Sequence, residues 1–147
     1  MEKEIKLKWV FKTSPEKVWD YLTQPELLSQ WLMYSDFKPI LGHKFQFYKE
    51  AKLDCIYGGM VFCEIVEIKT AQLLSYTWEF DIENGKPQYH SLVTWHLSPI
   101  EEGTELTLIH SGFTHKTQRD NHEDGWIILL ENLGNRIAIQ KNETSPV

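Results

Sequence analysis

Three histidines and one aspartate, at positions 110, 115, 122 and 124, are the functional groups in this sequence best suited to metal chemistry. Zinc accepts imidazole and carboxylate groups as ligands. The gaps of five and seven residues between the histidines match no His-Glu-x-x-His or cysteine/histidine motif, so no metal site is expected. No Gly-x-Ser-x-Gly elbow or glycine-rich phosphate loop is found either. The sequence therefore identifies no catalytic residue and implies no cofactor.

His110 differs from the other histidines because it lies in an apolar segment. It has the same parity as Leu106 and Leu108 on the last predicted strand, so its ring can face the interior. A lone titratable group in an apolar cleft is a candidate for ligand binding. The alternative is a buried histidine that hydrogen-bonds a backbone carbonyl or Ser111.

Large apolar side chains form a second set of candidates, because alternation places them on the inner face of the predicted sheet or on the helices opposite. A concave apolar pocket with few polar groups is the usual form of a small-molecule site. The same side chains could instead fill a solid core. With His110, the ligand-binding candidates are Trp31, Phe47, Tyr76, Trp78, Trp95, Trp126, Leu130 and Leu133.

Hydrophobic periodicity predicts the elements that position these side chains. Alternation from Ile5 to Thr13 predicts a strand. Ser14 and Pro15 are typical of an N-cap and a first helical position, and Pro25 ends that helix and begins a second short one that carries Trp31. Period-two alternation then predicts strands at residues 44–49, 61–68, 73–80, 89–97 and 104–111, with loops at 84–87 and 101–103.

From about His122 the apolar residues recur with helical spacing. The stripe consists of Trp126, Leu129, Leu130, Leu133 and Ile137. Gly134 beside it costs about 1 kcal/mol relative to alanine, which close packing on the sheet or room for a ligand should offset. Residues 142–147 are polar and are expected to fray. Residues 1–147 are thus expected to form one α+β domain, in which a curved antiparallel sheet of about six strands packs with two short helices and one long C-terminal helix.

Charge and hydropathy exclude two classes of partner. The formal net charge is −6, and lysine and arginine form no run longer than two. Nucleic-acid affinity depends on cations that neutralise phosphates, so no nucleic acid is expected. The longest apolar run, Trp126 to Leu130, is too short to span a membrane, and Met1 to Glu4 does not begin a secretory leader. We therefore expect a cytoplasmic protein that does not bind membranes.

The two cysteines, Cys55 and Cys63, are expected to be free thiols. On one continuous strand they would lie roughly 26 Å apart, beyond the reach of a disulfide. With a two-residue hairpin at Gly58 and Gly59, Cys55 would pair with Phe62 and Cys63 would lie on the other face. The sequence does not decide between that turn and one at residues 50–53.

Five local motifs resemble one protein family. They are Ser-Pro-Glu-Lys-Val-Trp at 14–19, Gln-Pro-Glu-Leu-Leu at 24–28 before Trp31, Leu-Ser-Tyr-Thr-Trp at 74–78, the segment Gly103 to Gly112, and Gly125-Trp126 before Leu133. In this order they are similar to the heat-shock-protein-ninety ATPase activator homologue branch of the SRPBCC superfamily, which also includes birch-pollen-allergen-like and START-like proteins. The resemblance covers residues 5 to about 140.

This resemblance implies a helix-grip fold and a ligand cavity between the sheet and the C-terminal helix. Relatives in the superfamily bind sterols, lipids, flavonoids or polyketides there, so a small apolar molecule of flavonoid, polyketide or lipid-like type is the implied partner. Contact with a chaperone and a cyclase- or aromatase-like activity are the alternatives that the family implies. In the co-chaperone that gives the family its name, the main chaperone-binding part is a separate N-terminal domain. We expect no such domain before residue 1, and therefore no stimulation of a chaperone ATPase.

Overall fold

The computed structural model describes residues 3–49 and 60–144, with side chains up to residue 139. Its elements follow the order β1 (Glu4–Phe11), α1 (Pro15–Thr23), α2 (Pro25–Trp31), β2 (Tyr34–Ser35), β3 (Lys44–Tyr48), β4 (Met60–Lys69), β5 (Leu73–Glu83), β6 (Lys86–Ile100), β7 (Gly103–Ser111) and α3 (Lys116–Thr144). This order confirms the predicted α+β architecture, with two short helices and one long C-terminal helix.

The strands of the described chain form one antiparallel sheet in the order β1-β7-β6-β5-β4-β3-β2. About six strands were predicted, and the additional one is β2, whose Tyr34 and Ser35 pair with Tyr48 and Phe47. The curled sheet and the long helix confirm the helix-grip fold. The connection between β3 and β4, where the turn at 50–53 or at Gly58-Gly59 was predicted, lies outside the described residues, as does Cys55.

The two short helices begin where the sequence predicts. The Ser14 side chain accepts a hydrogen bond from the backbone N–H of Lys17, and Pro15 follows as the first helical residue. Gln24 is extended (φ −97°, ψ 120°), as expected for a residue before proline. Pro25 therefore ends α1 and begins α2, which buries Leu28 and Trp31.

The strands after β4 are joined by tight turns. Asn84 and Gly85 both have positive φ, 52° and 74°, which is the conformation of a two-residue type I′ hairpin turn. The predicted loop at 84–87 is therefore too long, since Pro87 already pairs with Ile82. At the next turn, a Cβ on Gly103 would lie 2.2 Å from the Phe11 carbonyl oxygen. Only glycine permits that approach of β7 to the end of β1.

The long helix α3 begins at Lys116, before the predicted start near His122. Its first turns carry no apolar stripe and are held by polar contacts instead. The Arg119 guanidinium donates to Asp120 Oδ1 at 2.9 Å, to Glu123 Oε2 at 2.8 Å and to the Glu4 carbonyl oxygen of β1 at 3.2 Å. The helix continues to Thr144, past the predicted start of the tail at residue 142, and residues 145–147 are not described.

The apolar stripe of α3 faces the sheet as predicted. Trp126, Leu130, Leu133 and Ile137 are all buried in the main hydrophobic cluster. In residues 3–49 and 60–144, no helix combines the length and apolar character needed to cross a membrane.

Candidate functional site

Four tryptophans from four elements contact one another in a row between the sheet and the helices. Trp31 of α2 lies edge-on to Trp95 of β6, with ring centroids 6.1 Å apart. Trp95 contacts Trp126 of α3 at 5.4 Å, and Trp126 contacts Trp78 of β5 at 5.3 Å. We call this set the tryptophan row. It brings together side chains that the sequence predicts to face one interior.

The other predicted site residues surround this row. Phe47 lies 5.5 Å from Trp78 and 5.9 Å from Tyr76, measured between ring centroids. Leu130 and Leu133 belong to the same buried cluster. All nine predicted residues are therefore buried, and His110 is fully buried in contact with Trp78 and Trp126.

An open cleft of about 330 Å³ lies at one end of this cluster, between β4, β5 and α3. Its walls are mainly apolar. Of the predicted site residues, Trp78 and Trp126 line it, whereas the others are not among its lining residues. The lining consists of Met33, Lys49, Val61, Trp78, Phe80, Asn121, His122, Gly125, Trp126 and Leu129.

Eight of the ten lining residues, His122 and Gly125 among them, were not predicted as site residues. The place of His122 was missed because the residues before it were interpreted as a loop, whereas they form the first turns of α3. The sequence spacing could have placed His122 at the cleft. His122 lies four residues before Trp126 and Leu129 lies three residues after it, so all three share one helical face.

His110 links α3 to the sheet through a chain of hydrogen bonds. Trp126 Nε1 donates to His110 Nδ1 at 3.0 Å, so Nδ1 carries no proton. The proton is therefore on Nε2, which donates to Ser91 Oγ at 2.8 Å, and Ser91 in turn donates to the Trp78 carbonyl oxygen at 2.7 Å. Both ring nitrogens thus have partners, and neither partner is Ser111 or a backbone carbonyl, the two that the sequence suggested.

This environment keeps His110 neutral. Burial lowers the pKa of His110 well below its usual range, and the neighbouring His122 lowers it further. Protonation would also place a second donor on Nδ1, directly opposite the N–H of Trp126. The bond network and the burial therefore favour the same protonation state.

His122 lies on the cleft wall with its tautomer fixed in the opposite sense. Its Nδ1 is 2.8 Å from the Gln118 carbonyl oxygen, so Nδ1 carries the proton and Nε2 keeps its lone pair. Burial lowers the pKa of His122, and the bond to the Gln118 carbonyl opposes that effect. The ring packs against Phe80 and Phe113, with centroids 4.6 Å and 5.1 Å away. The cleft therefore carries a neutral imidazole.

Trp78 is the one member of the tryptophan row whose indole N–H has no hydrogen-bond partner within the described residues. Trp78 as a whole is only 4% exposed. Gln118 Oε1 is also buried without a partner. The other three indole nitrogens donate, Trp31 to the Tyr21 carbonyl oxygen at 2.9 Å, Trp95 to Tyr76 Oη at 2.9 Å and Trp126 to His110 Nδ1 at 3.0 Å.

The remaining candidate groups do not converge. His115 Nδ1 bonds the Thr114 hydroxyl at 3.0 Å, and Asp124 is exposed. Across the part of the chain that the structure describes, no group of three or more histidine, cysteine, aspartate or glutamate side chains is placed to hold a metal ion. Cys63 is a free, buried thiol whose pKa is raised, first by burial and then by Glu79. Such a thiol is a poor nucleophile.

Comparison with known proteins finds a matching family and several solved structures with a similar fold. Residues 12–138 match the family model "Activator of Hsp90 ATPase homolog 1-like protein". The chain is similar to a Mesorhizobium loti protein solved by X-ray crystallography, with 31% identity, a TM-score of 0.80, and coverage of 97% of this chain and 99% of that one. No curated protein matches the sequence.

Two more distant solved structures share the fold. The AHSA1 protein from Silicibacter pomeroyi has 20% identity and a TM-score of 0.79, covering 93% of this chain and 99% of that one. DynU16, a protein in the dynemicin biosynthetic locus, has 17% identity and a TM-score of 0.79, covering 94% of this chain but 48% of that one.

Proposed function

Because the chain belongs to the Activator of Hsp90 ATPase homolog 1-like family, as its motifs predicted, we propose that it binds a small, mainly apolar molecule between the sheet and α3. The observation that carries this proposal is the apolar cleft of about 330 Å³, which falls within the usual size of small-molecule sites. The ligand classes are those that the family resemblance implies: flavonoid, polyketide or lipid-like. The cytoplasmic location stays a prediction.

In this proposal, Trp78 and Trp126 contact the ligand directly. Flat ring faces favour offset stacking with a planar ligand. Phe47, Tyr76, Trp95 and His110 contact one or both of those rings. Trp31, Leu130 and Leu133 belong to the buried cluster around them. DynU16 supports a natural-product ligand by analogy, since it has the same fold and lies in the dynemicin biosynthetic locus.

The test is a titration of the ¹⁵N-labelled protein with flavonoids, aromatic polyketides and fatty acids, followed by amide shifts. Gly125→Leu should block the cleft, because a Cβ at Gly125 points into open space. Asp124→Leu is the matched control, since it places the same side chain one residue away on the exposed surface. We expect Gly125→Leu to weaken binding by at least about tenfold and Asp124→Leu to leave it unchanged.

Two results would contradict the proposal. One is that no compound shifts the resonances of the cleft residues. The other is that shifts cluster around Lys44, Gln46 and Glu64, which line a separate pocket away from Trp126.

A chaperone-accessory function is the second candidate, and the family description is what favours it. Saturable stimulation of an Hsp90 ATPase by the wild-type protein would support it. Equal stimulation by Gly125→Leu would then assign that activity to a surface other than the cleft.

A further inference from the structure

The wall of the cleft contains one side chain whose charge can change near neutral pH, and this is His122. Its Nδ1 proton is bound by the Gln118 carbonyl oxygen at 2.8 Å, so a further proton can bind only at Nε2. Among the described residues, none forms a hydrogen bond with Nε2. That nitrogen can therefore take a proton from solvent in the empty cleft.

The side chains packed against His122 from the sheet do not stabilise a positive charge. Phe80 of β5 and Phe113, just after β7, contact its ring with centroids 4.6 and 5.1 Å away. The titratable group that faces it is His110 of β7, at 5.2 Å. Both nitrogens of His110 are already bonded, to Ser91 and Trp126, so His110 stays neutral and His122 is the first of the two to take a proton.

The charged groups near His122 do not pair with it either. The adjacent carboxylate on α3, Glu123, is bound to Arg119 at 2.8 Å, and His122 forms no ion pair within the described chain. The lining residues that the structure describes include no carboxylate, and the one charged side chain among them, Lys49, is itself positive. A protonated His122 therefore depends on water in the open cleft for its stability.

Building on the proposed function, we propose that ligand binding and protonation of His122 exclude each other. The cleft holds an apolar molecule while the ring is neutral and releases it when Nε2 takes a proton from solvent. A ligand on Trp126 also covers His122, one helical turn away on the same wall, and removes its water. Burying an unpaired charge is costly. Burial in the empty cleft already lowers the pKa of His122, and a ligand extends that effect.

This linkage has a definite sign. Above the pKa of His122 the ring is neutral, so the affinity should not depend on pH. At a pH equal to that pKa, half of the protein has a neutral ring and Kd is about doubled, and one pH unit lower Kd is about tenfold higher. By reciprocity, the ligand lowers the pKa of His122, so binding below neutral pH releases a proton.

The experiment uses flavone as the probe, because it has no group that titrates between about pH 5 and pH 8 and any dependence on pH must come from the protein. The imidazole resonances of His122 give its pKa in the free protein, and calorimetry gives Kd over the same range. We expect Kd to follow the neutral fraction of His122. We expect saturating flavone to lower the pKa of His122 by at least about one pH unit. Because acid also lowers the stability of the fold, circular dichroism is recorded at each pH.

Two variants assign the effect to one residue. His122→Phe keeps an aromatic ring against Phe80 and Phe113 but cannot take a proton, so its Kd should not change with pH. His115→Phe is the matched control, because His115 lies outside the cleft, and it should keep the wild-type dependence on pH. If His122→Phe does not fold, the change that flavone causes in the pKa of wild-type His122 tests the same linkage.

The outcomes distinguish this inference from the proposed function. If flavone shifts the cleft resonances and Kd is the same on both sides of the pKa of His122, the linkage is wrong and the cleft is still a ligand site. If the dependence on pH persists in His122→Phe, another group carries it and the assignment to His122 is wrong. If flavone shifts no cleft residue at any pH, the inference fails together with the proposed function.

Discussion

The two ends of the contact between α3 and the sheet each contain a glycine, in opposite surroundings. At the closed end, formed by Leu130, Leu133, Gly134 and Ile137, a Cβ on Gly134 would lie 3.7 Å from both Phe11 and Trp9. At the open end, formed by His122, Gly125, Trp126 and Leu129, a Cβ on Gly125 would meet nothing within 4 Å. Glycine thus allows close packing against the sheet at Gly134 and leaves open space at Gly125.

The two ends also differ in their polar groups. The closed end is apolar and its leucines are fully buried. Trp78 Nε1 and Gln118 Oε1, the buried atoms without partners in the described chain, lie near the open end. Because native cores leave few such atoms, polar groups are less completely satisfied at the open end, which is the end where we propose that a ligand binds.

The largest difference should appear when leucines of the two ends are truncated. Leu133 is fully buried, so Leu133→Ala should lower the free energy of unfolding by about 2–5 kcal/mol. Leu129→Ala, at the half-buried cleft wall, should cost about 1 kcal/mol. Urea denaturation measures both, with the exposed Ile128→Ala as a control expected within about 0.5 kcal/mol of wild type. Equal losses at Leu133 and Leu129 would mean that the two ends are packed alike.

The second-largest effect should be a loss of stability in acid, through His110 and His122 near the open end. The unfolded chain protonates His110 and His122 below about pH 6.5, whereas burial lowers the pKa of each in the folded chain. Stability should therefore be constant above pH 6.5 and fall as the pH drops toward the folded-state pKa values. Each unit of depression is worth about 1.4 kcal/mol.

Urea midpoints between pH 8 and pH 5 measure this slope. His110→Gln should reduce it, and the exposed His96→Gln should leave it unchanged. If the variant does not fold, the imidazole resonances of wild-type His110 give the same answer, since they should still show a neutral ring at pH 6. A titration of His110 at its ordinary value would contradict the prediction.

The smallest effects should come from the glycines. Gly134→Ala and Gly125→Ala should each raise the free energy of unfolding by about 0.5–1 kcal/mol, because alanine favours the helix. At Gly134 the added methyl group would make ordinary contacts with Trp9 and Phe11. Thermal denaturation measures both variants. A destabilised Gly134→Ala would show that the closed end has no room for a methyl group.

Much of the fold could be predicted because its elements carry local patterns. Ser14 and Pro15 specify the start of α1, and Pro25 specifies the break before α2. Two elements escaped prediction for physical reasons. Strand β2 has two residues, which is too short for alternation, and the first turns of α3 are held by Arg119 and its acidic partners rather than by an apolar stripe.

The site was less accessible to sequence reasoning. Strand alternation placed Trp78 on the interior and helical spacing placed Trp126 there, and the structure brings their rings into contact. Parity does not say which indole N–H finds a partner, because that depends on side chains from distant segments such as Tyr76 and His110. The role of His122 depended on where α3 begins, so an error at the helix start concealed the polar side of the cleft.

The tryptophan row also determines how the protein should emit light. Excitation energy passes readily between indoles in contact, and the row runs from Trp31 through Trp95 and Trp126 to Trp78 with neighbouring centroids at 6.1, 5.4 and 5.3 Å. Energy absorbed by Trp31 or Trp95 can therefore pass to Trp78 at the cleft. A molecule that quenches Trp78 would dim the whole row, so the intrinsic fluorescence of the unlabelled protein is itself a sensor for occupancy of the cleft.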